Sequence, residues 1–566
     1  MRPSDPLWPD AASWDKLNDD VGGNLIEAHS LFDACVVDSR GVACREALDN
    51  LHNPYWISDQ PAGTEVSGWL DAWTPAPSAY AIRARSAADV AVGVTFAREH
   101  NLRLVVKGTG HSYLGTSNAP DSLLIWTRAM RQVVLHDAFV GQGCEGRVAP
   151  MPAVTAGAGA VWMDLYNAVT TEAGRYVQGG GCTTVGVAGL VQSGGFGSFS
   201  KGFGMVAASL LEAEVVTADG RIRVVNECLE PELFWALKGG GGGTFGVVTR
   251  LTLRTHDLPA TFGFADGTIE ARSDSAFRAL IGRVIAFYRD KLFDSHWGEQ
   301  IRVGPGNTLE VAMVSQGLDA AQVRSLWQPF FDWVSASPGD FVVTAPLRAG
   351  AVDARAWWEV DGNPAMIPDT RSEALPNRGW WQGDQGQVGA FIHGYDSLWL
   401  SANSLLPSRR TGLSDALFAA SRYKRIELHT NKGLAGASAS ILAAARQTAI
   451  NPAAVDAFAL AIVADGEAPA YPGLPSRAAI DLNAARENAR AIDAAAAELR
   501  RVAPGSASYV SESNFFNANW QSAYWGNHYS RLKAVKTQYD PDGLFFVHHG
   551  VGSEDWSADG FTRIER

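Results

Sequence analysis

Between residues 78 and 255 the apolar positions form short β-branched runs separated by stretches of helical periodicity. Tyr80-Ala-Ile-Arg-Ala predicts a strand. Ser86–Asn101 predicts a helix with Ser86 as its N-cap and Val90, Val94 and Phe96 as apolar positions. Leu102-Arg-Leu-Val-Val predicts a second strand. It runs into Lys107-Gly-Thr-Gly-His111-Ser, so a strand–helix–strand unit ends in a glycine-rich turn, a place where α/β proteins commonly bind ligands. Further strands are predicted at Leu123–Trp126, Val133–Leu135 and Ala153–Gly159, and a helix at Val161–Ala173. Leu210–Thr217 and Ile222–Val225 flank the turn Ala218-Asp-Gly220 and predict a hairpin. Pro231–Leu237 predicts a short helix, and Thr244–Thr255 carries the last strand of this region.

After His256 the pattern changes. Longer helices at Ser275–Leu292, Ala320–Ser335, Leu413–Arg422 and Ala478–Val502 alternate with strand candidates at Phe341–Thr344, Gly389–Phe391, Arg425–His429 and Phe458–Val463. This predicts a second, α+β domain. From about Ser506 dense aromatic and polar residues return, with a basic helix at Tyr529–Lys536 stopped by Tyr539-Asp-Pro541-Asp-Gly543. Residues 1–75 are punctuated by Pro, Asp and Trp, carry short helices at Ala11–Asn18 and Arg45–Leu51, and read as an arm packed on the body. The expected division is therefore an arm over 1–75, a first domain over 76–255, a second over 256–504, and a segment over 505–566 that returns to the first.

One stretch stands out against this background. Ten of the 26 residues from Gly179 to Gly204 are glycine, against 58 in the 566-residue chain. Val185, Val187, Leu190, Val191, Phe196 and Phe199 are interleaved with them, so the stretch is not a linker. Glycine lets backbone approach a ligand closely. Apolar residues between glycines suggest a packed wall of amides suited to a flat or anionic ligand. Cys182 sits inside it; a buried packing thiol in a glycine-rich loop is the bland alternative.

Composition narrows the function. With 46% hydrophobic and 19% charged residues and no apolar run of membrane-spanning length, the chain reads as soluble and globular, with no membrane partner. A net charge of −13 argues against non-specific binding to nucleic acid. Nineteen tryptophans offer platforms for planar or sugar ligands, though most serve the core. P-loop, dinucleotide-fold, Gly-x-Ser-x-Gly and His-Glu-x-x-His motifs are absent, which lowers kinase, hydrolase and zinc-protease readings. No Cys or His spacing fits a structural zinc, and no metal is expected. Met1-Arg-Pro-Ser-Asp-Pro-Leu-Trp-Pro lacks an apolar h-region and does not read as a signal peptide. Cys35 and Cys44, nine apart, fit either a small disulfide loop, which implies a secreted or periplasmic setting, or two ordinary thiols.

Two glycine-rich segments each carry one nucleophile, His111 and Cys182. Lys107-Gly-Thr-Gly-His111-Ser-Tyr, followed about 70 residues later by Gly-Gly-Gly-Cys182-Thr-Thr-Val-Gly-Val-Ala-Gly-Leu-Val-Gln-Ser-Gly-Gly-Phe-Gly, resembles the FAD-binding module of the vanillyl-alcohol oxidase and p-cresol methylhydroxylase superfamily. Leu233-Phe-Trp-Ala-Leu-Lys-Gly-Gly-Gly-Gly-Gly-Thr-Phe-Gly-Val-Val and the segment from Tyr524-Trp-Gly-Asn-His528 to Tyr539-Asp-Pro-Asp-Gly-Leu-Phe resemble its berberine bridge enzyme-like branch. The resemblance covers roughly 75–255 and 505–550. It implies an α+β fold: a two-part FAD-binding domain of the p-cresol methylhydroxylase type, and a substrate domain with an antiparallel sheet covered by helices.

The resemblance further implies FAD held by two covalent bonds, from His111 to the flavin 8α-methyl and from Cys182 to flavin C6. The structural alternatives are a turn histidine and a buried thiol. Lys107, Gly108, Thr109, Gly110 and Ser112, with Gly186, Gly189, Gly194, Gly195 and Gly197, would face the diphosphate and ring edge; Gly246 and Val248 would lie against the adenine side. Val185 would sit beside the reactive flavin face, where a small aliphatic residue goes with oxygen access. Tyr524 and His528 complete the cofactor-side candidates, His528 standing where relatives commonly carry Asn.

The chain departs from the family at the base. Where carbohydrate-oxidising members carry Tyr-x-Asn-Tyr, this sequence reads Tyr509-Val-Ser511-Glu512, so Glu512 stands at the proton acceptor. An ordinary carboxyl near ~4.3 would reach the ~6–7 of a poised base only through about 3 kcal/mol of burial or like-charge effect. A capping or salt-bridged Glu is the alternative. His429 and Lys432 would orient substrate or stabilise an alkoxide, or simply end a surface strand. Trp380, Trp381, Gln385 and Tyr395 are candidate pocket walls. The expected function is an FAD-dependent oxidase passing hydride from an alcohol or sugar hydroxyl carbon to FAD, with molecular oxygen giving hydrogen peroxide. The rivals are a dehydrogenase, an oxidative cyclase of secondary metabolism, and a non-catalytic binding protein.

Overall fold

Local signals start the elements. Ser86 accepts the Asp89 amide while the Asp89 carboxylate takes the Ser86 amide, so the helix Ala87–Glu99 opens in a capping box. Asp319 and Gln322 do the same for Ala320–Ser335, and Pro231 opens Pro231–Leu237 at a position where its missing N–H costs nothing. In this computed structural model, which describes residues 1–475 and 480–564, these elements assemble into three main sheets.

The first sheet runs in the order β1 (Leu25–Glu27), β2 (Tyr80–Arg83), β4 (Ser122–Trp126), β3 (Arg103–Lys107). β4 enters between the two strands of the strand–helix–strand unit and pairs with both in parallel. The second sheet is antiparallel, in the order β5 (Val133–Phe139), β6 (Met151–Gly157), β10 (Val247–Asp257), β8 (Leu210–Val216), β9 (Ile222–Asn226), with β7 (Arg175–Val177) on the end of β10. The helix predicted over Val161–Ala173 is α-helical to Leu165 and widens into π-helical turns over Tyr166–Glu172.

The third sheet has seven antiparallel strands. They are β14 (Phe341–Asp353), β11 (Thr261–Ala271), β13 (Thr308–Gln316), β12 (Trp297–Gly304), β18 (Ile426–His429), β19 (Ala457–Glu467) and β17 (Phe391–Ser401), in that order; β15 (Met366–Pro368) and β16 (Gly379–Trp381) form a separate hairpin. The helices Asp274–Phe287, Ala320–Ser335, Pro407–Ser421 and Leu482–Arg500 cover it, with Phe277, Trp327, Leu417 and Ile492 in one core. Ala478, the predicted start of the last helix, lies outside the described residues. β11, β12 and β13 were not among the predicted strands, although β13 alternates buried Leu309, Val311, Met313 and Ser315 with partly exposed partners.

The last segment returns to the first domain's core, where Trp520, Tyr524 and Trp525 pack among Trp162, Leu233 and Phe245. Trp525 Nε1 donates to the Gly239 carbonyl, and buried Lys536 Nζ donates to the carbonyls of Thr244 and Phe545. The arm is tied on at both ends: Trp14 stacks on Tyr80 at 4.1 Å, and the loop after Ser58 lies against the Lys107–Ser112 turn.

Four of the five cysteines are paired, Cys35 with Cys44 and Cys144 with Cys228, leaving Cys182 free. The first pair settles the alternative left open by spacing; the second joins residues 84 apart. Chain entropy assigns roughly 4.5 kcal/mol to a loop of that length and roughly 2.5 kcal/mol to the nine-residue loop. The double Cys144→Ser/Cys228→Ser variant is therefore expected to unfold at lower denaturant than Cys35→Ser/Cys44→Ser. The reverse order would contradict this assignment.

Candidate active site

Two adjoining cavities meet at Cys182. The narrower, about 270 Å³, is a slot between the Lys107–Ser112 turn, the start of the glycine wall and the closing segment. The wider, about 720 Å³, lies between the glycine wall and the third sheet. Cys182, Val185, Leu190, Tyr113, Gln387, Tyr509 and Glu512 border both.

The slot is made by backbone. Gly108, Gly110, Gly186, Gly189, Gly241, Gly242, Gly243 and Gly246 line it with Thr109, Ser112 and Val248. A Cβ on Gly189 would meet no atom within 4 Å, so that glycine faces open space. Gly110, at φ +92°, must be glycine for another reason: a Cβ there would stand 2.6 Å from the Gly63 carbonyl of the arm. Gln192 Oε1 and His549 Nδ1, both on residues bordering the slot, are buried with no hydrogen-bond partner among the described residues. Such atoms ordinarily pair, and here a ligand is what remains to pair them.

The predicted residues divide. His111, Cys182, Lys107, Gly108, Thr109, Gly110, Ser112, Val185, Gly186, Gly189, Gly246 and Val248 border the slot. Gly194, Gly195 and Gly197 do not: Cβ atoms there would strike Ile450, Leu190 with Val206, and the Gly179 carbonyl, so these glycines permit close packing. Tyr524 also turns away, into the core beside Trp520, and its neighbour Trp525 borders the slot instead. His528 lies outside it; Nδ1 pairs with the Ile450 carbonyl at 2.9 Å and the ring stands edge-on to Trp235. Adjacent helical positions point about 100° apart, which the sequence pattern did not resolve.

The Lys107 side chain does something the motif did not suggest. Its ammonium is buried and donates to the carbonyls of Gln60 at 2.5 Å, Pro61 at 2.7 Å and Gly63 at 3.1 Å. Burial lowers its pKa to about 7. The cation thus clasps the arm onto the glycine turn and brings Glu65 to His111. Glu65 N–H donates to the Gly110 carbonyl at 3.1 Å, and Glu65 Oε2 stands 3.4 Å from His111 Nε2. Thr184 Oγ1 is 3.1 Å from the same nitrogen. Burial lowers the His111 pKa to about 4; burial, then the charge of Asp384, raises Glu65 to about 8.

In the wider cavity Lys432 Nζ donates to Glu512 Oε1 at 2.6 Å and Oε2 at 2.5 Å. The Glu512 carboxylate is therefore not isolated in an apolar pocket, as the expected route to a poised base required. The turn carrying it is fixed: Glu512 N–H donates to Tyr509 C=O at 3.0 Å, Ser397 Oγ donates to the Glu512 carbonyl, and Tyr509 packs edge-on against Phe196 of the glycine wall at 5.3 Å. His429, at the end of β18, is buried rather than on a surface strand end; burial and then Lys432 lower its pKa, and Nε2 lies 3.2 Å from Glu427 Oε2. Tyr395 and Trp381 form walls, whereas Trp380 is buried and bonded to Gln385, and neither of those two borders the cavity.

Several cavity residues carried no sequence signal. Glu299, at φ +68°, binds Ser198 and Asn431 through Oε1. A left-handed non-glycine residue inside a strand is strained, and such strain clusters at functional sites. Asp384, in the 3₁₀ segment Gln382–Gln387, shares the wall of the wider cavity with Cys182; burial raises its pKa to about 6. Burial and then Asp384 push the Cys182 thiol well up.

A backbone slot opens beside a free thiol onto a second, wider cavity, and the chain's relatives make it an FAD-linked oxidoreductase. Residues 78–226 match the family described as FAD binding domain, and 503–552 the family described as Berberine and berberine like. The FAD-linked oxidoreductase easE of Epichloe festucae var. lolii is 30% identical over 596 residues, covering 99% of this chain and 91% of its own. The VAO-type flavoprotein oxidase VAO615 of Thermothelomyces thermophilus is 29% identical over 605 residues, covering 100% and 95%. The crystal structure of VAO-type flavoprotein MtVAO615 from Myceliophthora thermophila C1 shares the fold with a TM-score of 0.78, at 24% identity, over 99% of this chain and 98% of that one. The chain belongs to the berberine bridge enzyme-like branch of the vanillyl-alcohol oxidase and p-cresol methylhydroxylase superfamily.

Lys107→Met would leave three buried carbonyls unpaired, at ~1–3 kcal/mol for each such group. Hydrogen exchange over residues 59–68 is expected to accelerate and the thermal midpoint to fall by several degrees. Unchanged exchange would show that the ammonium does not hold the arm.

Proposed function

We propose that the protein is an oxidase that takes hydride from an alcohol or sugar hydroxyl carbon onto FAD bound to both His111 and Cys182, with oxygen as acceptor. Bound FAD supplies the two-electron chemistry; the chain supplies its position and moves the proton. The observation that carries this reading is the Glu512–Lys432 pair, because Glu512 borders both cavities and so stands where a substrate on the third sheet would meet the cofactor. Glu512 takes the hydroxyl proton. Lys432 holds its carboxylate in place and stabilises oxygen charge as the proton leaves. His429, held near neutral form by burial, offers a ring N–H to the substrate oxygen from β18. Tyr113 and Tyr395, with rings 5.2 Å apart, wall the cavity above Cys182. Val185, bordering both cavities, leaves room for oxygen. Two disulfides support maturation in an oxidising compartment.

Anaerobic stopped-flow reduction of the bound flavin by a panel of primary alcohols and mono- and oligosaccharides tests the proposal. Glu512→Gln is expected to slow reduction by ~10²–10⁴-fold, the usual worth of a positioned base, while wild-type turnover yields one peroxide per substrate. Wild-type rates in the variant would remove Glu512 from the reaction. Dye reduction without peroxide would make the protein a dehydrogenase.

A further inference from the structure

Each of the two anchor residues has a buried carboxyl beside it that the proposed substrate reaction does not use. Glu65 Oε2 stands 3.4 Å from His111 Nε2, and its side chain is only 6% exposed; no hydrogen bond within the described residues reaches that oxygen. Asp384 lines the wider cavity together with Cys182, and its charge helps push the thiol up. Neither carboxyl has a salt-bridging Lys or Arg among the described residues, unlike Glu512 with Lys432 or Glu427 with Arg425. They come from different segments, Glu65 from the arm clasped by Lys107 and Asp384 from the 382–387 segment over the wider cavity. Both segments are far in sequence from the nucleophiles, so folding itself places an acceptor at each.

Attachment needs such acceptors. Joining a histidine nitrogen or a cysteine sulfur to a flavin carbon replaces one N–H or S–H bond and one C–H bond with one new bond. Two protons leave and two electrons remain with the isoalloxazine, from which molecular oxygen takes them to give hydrogen peroxide. A thiol pushed up by burial is a poor nucleophile until a base takes its proton. A neutral imidazole can offer one nitrogen's lone pair only if the proton sits on the other. Nε2 is the nitrogen that pairs with Thr184 and lies 3.4 Å from Glu65, while His111 Nδ1 makes no hydrogen bond among the described residues.

We propose that Glu65 and Asp384, in their carboxylate forms, are the proton acceptors of flavin attachment, Glu65 taking the Nε2 proton as His111 bonds through Nδ1, and Asp384 taking the thiol proton as Cys182 bonds through sulfur. The inference rests on the bicovalent reading above. The chain thus matures its own cofactor site, each bond having its own base. Thr184 is a positioning residue that keeps the imidazole in the plane Glu65 needs.

Peptide mapping of full-length holoprotein reads the two bonds separately. Wild type is expected to carry flavin on both the His111 and the Cys182 peptides; absence of flavin from both would overturn the bicovalent reading itself. Glu65→Gln is expected to lose at least tenfold of the His111 adduct and keep the Cys182 adduct, and Asp384→Asn the converse. A wild-type protein with both bonds and variants that also keep both would overturn this proposal alone. Loss of both bonds in either variant would also overturn it, because separate acceptors cannot produce that. Formate added to Glu65→Ala or Asp384→Ala holding dissociable FAD provides a second measurement. Its small carboxylate fits the space left by the side chain and is expected to restore the missing adduct over hours. A merely structural role would give no rescue, and that result would contradict the assignment.

Discussion

Close approach of backbone to backbone at the foot of the cofactor slot is the constraint on which the structure depends. Gly110 has to lie against the Gly63 carbonyl, at a φ that an L side chain seldom adopts, before the arm can seat. The Lys107 ammonium then satisfies three arm carbonyls that would otherwise be buried unpaired. With that loop in place Glu65 reaches His111, and the slot has a wall on the arm side. The glycine wall is packed in the same manner, Gly197 lying against the Gly179 carbonyl where no Cβ fits.

The second dependence is on the returning segment. Trp525 and Lys536 bind carbonyls around Gly239–Phe245, so the closing segment and the oligoglycine stretch position one another. The same segment carries Tyr509–Glu512 across to β17 and the glycine wall. Glu512 therefore belongs to the cofactor side by chain connection and to the substrate side by its bond to Lys432. The proposed reaction uses Glu512 at this seam to take the proton beside the point where hydride leaves.

What was legible in the sequence was what local chemistry controls. Ser86 before an apolar period, Pro231 at a helix start and the turn at Gly220 each fixed an element within a residue or two. His111 and Cys182 could be picked out because each sits in a glycine context with a family pattern, and both border the slot. What escaped reading depends on long-range placement. Glu65 lies in an arm with no periodic signal, and Asp384 in a 3₁₀ turn; only tertiary contacts bring them to His111 and Cys182. Cys144 and Cys228 meet because the loop after β5 crosses to the far edge of its sheet, where Asn226 binds the Gln142 carbonyl. Glycine density marked the wall but not which glycines face a ligand. Gly189 opens to the slot and Gly194 packs on Ile450, a difference set by the neighbours of each rather than by spacing.

Bonding of one flat cofactor at both His111 and Cys182 is the proposal on which the rest depends. It is tested most directly by denaturing the unreduced holoprotein in acid, weighing it intact, and titrating its thiols. With Cys35–Cys44 and Cys144–Cys228 closed, the account predicts a chain heavier by one FAD, yellow after precipitation, with no titratable thiol. A colourless chain of unmodified mass with one reactive thiol would contradict it.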